Sequence, residues 1–250
     1  MLFVLPGDQR VYFNGILPVS AHLIELSDYS LAAVGSGSGI QGFDFALDPG
    51  DVCAIESRHP DDAHIFLRAL AAMIRPLKGT YAFEGRPCNL HRYQELLACK
   101  QQIGYVARDT ALISNLTVRQ NLLLQRYYHE NRLSIDLTED VLALCEAFGL
   151  REKLDRRPSG LNAMETQAVI AIRELSKKPA VLLLGQPEDF IGHARFELIT
   201  QIFKQLIAER LPIVFLSFDQ RLVQRFANRN VLITDGALTT IAVKAAVGGE

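Results

Sequence analysis

The chain has 250 residues, of which 49 % are hydrophobic and 22 % charged, enough for one large domain or a domain with a subdomain around a substantial core. Its 26 basic and 28 acidic residues leave a net charge of −2, so no basic footprint argues for nucleic acid. No apolar run approaches the ~20 residues needed to span a bilayer, and Met1–Arg10 has too short an apolar stretch, with no leading positive charge, for a signal peptide.

Residues 1–21 form a lead without clear period. His22 to Ser30 reads as a strand, and Gly35-Ser36-Gly37-Ser38-Gly39 as a flexible turn. Gln41 to Leu47 alternates, with Phe43, Phe45 and Leu47 on one face, as a half-buried strand does. Pro49-Gly50 turns the chain into a buried strand at Val52 to Ile55, followed by a loop and an apolar helix over Ile65 to Ile74. Thr80 to Gly85 reads as a strand ending in a glycine turn, and from there to about Ser176 the pattern is helical. Thr138 to Phe148 places Val141, Leu144, Cys145 and Phe148 on one face, with Thr138 as N-cap and Gly149 as the stop. A second helix is expected over Met164 to Ser176. Ala180 to Leu184 and Pro212 to Ser217 are short apolar strands of the buried parallel kind, separated by a helix over Ala194 to Glu209. Asn230 to Thr234 leads into a hairpin turn at Asp235-Gly236. The four cysteines, Cys53, Cys88, Cys99 and Cys145, are far apart, with neither C-x-x-C nor a histidine at ligand spacing; they read as buried, reduced thiols, and no metal site is expected.

The segment Asp51 to Leu70 has the strand–loop–helix frame of a phosphate-binding loop, G-x-x-x-x-G-K-[ST], without its residues. Aligned on the flanks, Ser57 and Asp62 replace the first and last glycines, Ala63 the lysine, and His64 with Ile65 the hydroxyl pair; Pro60 takes the place of a further glycine. Such a loop aims consecutive backbone N–H groups and a helix dipole at phosphate oxygens. Pro60 has no N–H to offer. Asp61 and Asp62 suit the helix dipole themselves but repel a phosphate. Taken alone, the segment is an ordinary capped helix, with Pro at its first position and acids in its first turn.

The order of landmarks says more. Pro49-Gly50-Asp51, the strand–loop–helix, Pro76 to Thr80, Phe83 to Gly85, Ile103-Gly104-Tyr105-Val106, Asn115-Leu116-Thr117-Val118 with Asn121-Leu122, Arg157-Pro158-Ser159, Val181 to Leu184 with Pro187, and Asp235-Gly236 together resemble the ATP-binding cassette of ABC transporters, over residues 22–240. The resemblance implies an α/β, P-loop-NTPase-like cassette: a parallel-sheet core with an antiparallel β edge (22–106 and 177–245) and an inserted helical subdomain (107–176). Tyr127-Tyr128-His129 loosely resembles cassettes of lipid-transport systems.

Carried over residue by residue, nearly every functional position departs from the family. Its magnesium- and permease-sensing Gln is Arg108. Its signature, which clamps the γ-phosphate of the opposite subunit, is Asn162-Ala163-Met164-Glu165 after Leu161. Its metal-binding Asp and general-base Glu are Gly185 and Gln186, and Gln cannot accept a proton at neutral pH. Its switch His is Phe218, its D-loop Asp falls near Gly192, and no adenine-stacking aromatic lies at Leu31 to Ala33. No intact G-x-x-x-x-G-K-[ST] exists anywhere in the chain. Phosphoryl transfer depends on positioning and electrostatic stabilisation by such groups, so the resemblance implies a catalytically inactive cassette without the family's Mg-ATP cofactor. Its partners would be a membrane permease, docked around Arg108, Asp109 and Leu112, and a second cassette of the same or another kind. It would lie in the cytoplasm, held to the inner membrane through the permease. Two alternatives stand beside this: an ATPase in which Arg58, His59, His64 or Arg68 supplies the missing cation, and an interaction module outside transport.

Overall fold

A computed structural model describes residues 22–130, 135–190 and 196–243. Among the described residues, ten strands and seven α-helices follow one another as β1 (Ile24–Leu31), β2 (Ile40–Leu47), β3 (Val52–Ser57), α1 (Pro60–Leu70), β4 (Lys78–Phe83), β5 (Arg86–Pro87), α2 (Tyr93–Gln101), β6 (Ile103–Val106), α3 (Val118–Glu130), α4 (Glu139–Ala147), α5 (Ala163–Ser176), β7 (Val181–Gly185), α6 (Phe196–Ala208), β8 (Ile213–Leu216), α7 (Gln220–Phe226), β9 (Arg229–Thr234) and β10 (Ala237–Ala242). Two sheets result. One is antiparallel, in the order β2-β1-β4-β5; the other runs β10-β9-β3-β8-β7-β6. In the second, β9, β3, β8, β7 and β6 are parallel and β10 is added antiparallel as a hairpin partner of β9.

The period of two within β3 decides the layers. Cys53 and Ile55 pack with β1, β2, β4 and α1, whereas Val52 and Ala54 pack with the helices of the other face. Both faces are covered, as a parallel sheet requires. Helix α1 therefore lies between the two sheets. Phe66 on α1 meets Phe43 and Phe45 of β2 edge-on, with ring centroids 5.9 and 5.1 Å apart, and this aromatic contact ties the antiparallel sheet to the helix.

Several expected boundaries move for local reasons. Helix α1 begins at Pro60, not Ile65, and ends at Leu70, not Ile74. Its stop is a Schellman motif in which Ala72, at φ +51°, takes the left-handed place usually held by Gly: Met73 N–H donates to Arg68 C=O and Ala72 N–H to Ala69 C=O. No glycine marks that end in the sequence. In α4 the same motif uses Gly149, at φ +68°, as expected. The stretch after Gly85 is not wholly helical, since β5 and β6 interrupt it; β6 is four residues buried on both faces and so has no readable period. The turn at Asp235-Gly236 has both residues at positive φ, +49° and +83°, as a two-residue hairpin demands. The start of the helix expected from Ala194, and Gly192, lie outside the described residues.

Two cysteines depart from expectation. Cys53 and Cys145 are buried, and burial pushes their thiols up to about 12 and about 11. Cys88 and Cys99 are only half-buried, and the fold brings their sulfurs to 3.2 Å.

Candidate functional site

In an open α/β sheet, ligands sit outside the carboxyl ends of the parallel strands. Here those ends are Ser57 of β3, Val106 of β6, Gly185 of β7 and Leu216 of β8. The fold thus gathers on one edge the loop Ser57–His64 and the segments holding Arg108, Gly185-Gln186 and Phe218.

The loop after β3 is closed on itself. Ser57 Oγ donates to His59 C=O at 2.8 Å and accepts from His59 N–H at 3.3 Å, and Arg58 N–H donates to Ile233 C=O. Pro60 starts α1, with Asp61 and Asp62 in its first turn, and Ala63 buried behind them. Both carboxylates face the turn Gly35–Gly39. Asp61 accepts from Ser36 N–H at 2.8 Å and Ser36 Oγ at 2.9 Å; Asp62, 1 % exposed, accepts from Ser38 N–H at 3.0 Å and Gly39 N–H at 2.9 Å. The turn expected to be flexible is therefore fastened. Its glycines are needed for approach, because a methyl group on Gly35 or Gly37 would collide with the Asp61 or Asp62 carboxylate. The Ser36 N–H and hydroxyl, aided by the nearby His64 and His59, hold the Asp61 carboxyl below the usual carboxylate range.

This arrangement reverses the polarity of a phosphate-binding loop. Backbone N–H groups do converge on an anion, but the donors come from Ser36–Gly39 and the anion is a pair of side chains on the helix start. The sequence showed the acids and the glycines; their pairing across 25 residues had no local signal.

The other positions are equally occupied. Gln186 follows β7 at φ +59° and is 6 % exposed, its N–H donating to Leu216 C=O at 2.8 Å. A Cβ at Gly185 would lie 3.0 Å from that of Ala107, so β7 and β6 meet closely there. Two acids that the sequence reading passed over, Glu188 and Asp189, organise this edge. Glu188 accepts from Ser217 Oγ at 3.0 Å and Phe218 N–H at 2.8 Å, and presents the Phe218 ring 63 % exposed. Asp189 pairs with Arg108 at 2.7 Å and is the main reason the guanidinium is held above its ordinary range. Asp109 accepts from Tyr105 OH at 3.0 Å and lies 3.7 Å from Arg68; Leu112 packs partly buried against the helical core.

Asn162, Ala163, Met164 and Glu165 form the start of α5. Asn162 and Glu165 make a capping box, each side chain accepting the other's backbone N–H at 2.9 and 3.1 Å. Lys153 pairs with Glu165 and leads the causes holding its carboxyl low. The negative charge that Glu165 brings to this position is thus paired with Lys153, while Met164 remains 44 % exposed. Of the possible substitute cations, Arg58 pairs with Asp235 at 3.2 Å, and Arg68 sits in the last turn of α1, at the far end from the loop. Among the described residues, no cluster of His, Cys, Asp and Glu is arranged to hold a metal ion, and no helix is long and apolar enough to cross a membrane.

Two sheets enclosing α1, a parallel edge carrying these four segments, and a capped helix start at Asn162 make up an α/β fold of the ABC-cassette kind. Residues 65–188 match the family described as ABC transporter. Over 192 residues the chain is 31 % identical to the molybdenum import ATP-binding protein ModC of Brucella melitensis, covering 76 % of this chain and 52 % of that protein, so it spans about half the length of that relative. It is 25 % identical over 216 residues to the cell division ATP-binding protein FtsE of Escherichia coli, covering 86 % of this chain and 97 % of FtsE. Among solved structures, the dimeric bacterial ABC transporter cassette MJ0796 superposes with a TM-score of 0.76 at 20 % identity, over 88 % of this chain and 99 % of that one.

Proposed function

We propose that this chain serves an ABC-type transporter as a structural or regulatory cassette that neither binds nor hydrolyses ATP. The observation that carries this reading is the Asp61–Asp62 clamp on Ser36–Gly39, which puts two carboxylates where a phosphate-binding loop presents N–H groups. A phosphate charge brought to about 5 Å from Asp62, at an effective dielectric near 20, is opposed by about 3 kcal/mol. That alone weakens binding by a factor on the order of 100, with Ala63 in place of a compensating lysine. Gln186 in place of a carboxylate leaves no general base at the end of β7.

In this reading the core (22–106 and 177–245) and the helical lobe (107–176) frame a groove at Arg108, Asp109 and Leu112 for a permease helix, and a second cassette faces the edge that carries Phe218. The chain then sits at the cytoplasmic face of the membrane through its permease. The named relatives concern molybdenum import and cell division, so the lipid-transport resemblance of Tyr127–His129 is carried no further and the cargo is set by the permease. Titration calorimetry of about 100 μM protein with Mg-ATP reaches dissociation constants on the order of 1 mM; no heat and no thermal-shift stabilisation are expected. Micromolar binding, or magnesium-dependent turnover, overturns the proposal.

A second reading keeps nucleotide binding. It is favoured by the relatives, both named ATP-binding proteins. Arg58 would then leave Asp235 to meet the phosphates, and turnover abolished by Arg58→Ala would establish it.

A further inference from the structure

We infer that Cys88 and Cys99 form a dithiol modification site, oxidised to an intramolecular disulfide by low-molecular-weight disulfides. Their sulfurs lie 3.2 Å apart, already in contact, with the Cys99 S–H donating to Cys88. The backbone around them is pinned on one side and loose on the other. Cys88 follows β5 and its N–H donates to Tyr81 C=O at 2.9 Å, fixing it to the antiparallel sheet. Cys99 sits on α2, a surface helix with no fully buried residue, which touches the core only through partly buried side chains such as Leu96. Small openings of such a weakly held helix are cheap. They admit a reagent to Cys88 and Cys99, whereas Cys53 and Cys145 stay inside β3 and α4.

The chemistry balances as two exchanges. The Cys88 sulfur, which accepts the Cys99 hydrogen bond, loses its proton and attacks one sulfur of the external disulfide, forming a mixed disulfide and releasing one thiolate. The Cys99 sulfur then attacks the Cys88 sulfur, forming the 88–99 bond and releasing the second thiolate. Both protein protons end on the two released thiols; the protein is oxidised by two electrons and the reagent reduced by two. Burial, followed by the Cys88 hydrogen bond, pushes the Cys99 thiol up to about 12, and its 3.2 Å approach to Cys88 lets it act as the resolving sulfur by proximity. The bond staples α2 to the β4–β5 edge, and α2 leads directly into β6 and the Arg108 segment.

The test treats the folded full-length chain with oxidised glutathione, blocks remaining thiols and digests with trypsin without reduction. Cleavage falls after Lys78, Arg92 and Lys100, with Arg86 protected by Pro87, so Gly79–Arg92 and Tyr93–Lys100 are expected as one linked species lighter by two hydrogens. The oxidised chain is expected to melt higher, by about 5 °C, reversibly with dithiothreitol. Cys99→Ser is expected to stop at a glutathione adduct on Cys88. Links to Cys53 or Cys145, links only between chains, four unmodified thiols, or a lowered melting temperature overturn the inference; the wild-type mapping decides even where the variant does not fold.

Discussion

Replacing Asp62 by Ala removes the acceptor of two backbone N–H groups, and their surroundings set the loss. A hydrogen bond to a charged acceptor contributes about 1.5–3 kcal/mol. Ser38 is exposed, so water takes over its N–H; Gly39 is buried, so its N–H is left without a partner. The first turn of α1 also loses an acid worth about 0.5 kcal/mol against the helix dipole. The sum is about 3 kcal/mol, or about 6–12 °C in melting temperature for a chain of this size. Urea unfolding with an unchanged m-value measures it, and amide exchange at residues 36–39 locates it. Asp61→Ala releases only exposed Ser36 and is expected to move the midpoint by a fraction of this. An Asp62→Ala midpoint equal to wild type, or equal losses from both variants, would refute the clamp as the element that holds this turn.

Asn121 is fully buried and bonds Ile113 N–H, Ile113 C=O and Thr117 C=O at 2.8, 3.1 and 3.0 Å, so Asn121→Ala is expected to cost about 2–3 kcal/mol by thermal unfolding. Glu174, 4 % exposed, pairs with Arg173 and Lys177; Glu174→Ala removes the carboxylate that both cations share and is expected to cost about 3 kcal/mol in urea, more than Arg173→Ala, whose head is nearer solvent. The Asp61 carboxyl is held below its ordinary 3.8 in the folded chain, so its contribution is present above that value and lost as pH falls through the lower folded one. The midpoint difference between wild type and Asp61→Asn is therefore expected at about pH 7 and should shrink at about pH 3; a constant difference would contradict the sign.

Much of the fold was legible because it rests on local rules. Phe43, Phe45 and Leu47 alternate, Asp235-Gly236 turns a hairpin, and Gly149 stops α4, each within a few residues. The end of α1 was misread because Ala72 does the work of a glycine, and β6 because four residues buried on both faces carry no period. Asn121 belonged to the Asn115–Leu122 string of the family resemblance, and in the structure it holds the turn before α3.

The sequence by itself determined the cassette architecture and which residues fall in each loop and helix start, since both follow from hydrophobic period, turn chemistry and the order of landmarks along the chain. Only the tertiary structure decided what those residues do to one another. Asp62 meets Gly39 across 23 residues, Arg108 meets Asp189 across 81, and Cys99 meets Cys88 across 11. Local propensity reaches a few residues, whereas these contacts arise where separate strands and helices pack onto a common edge, and the packing, not the spacing, sets which charge faces which.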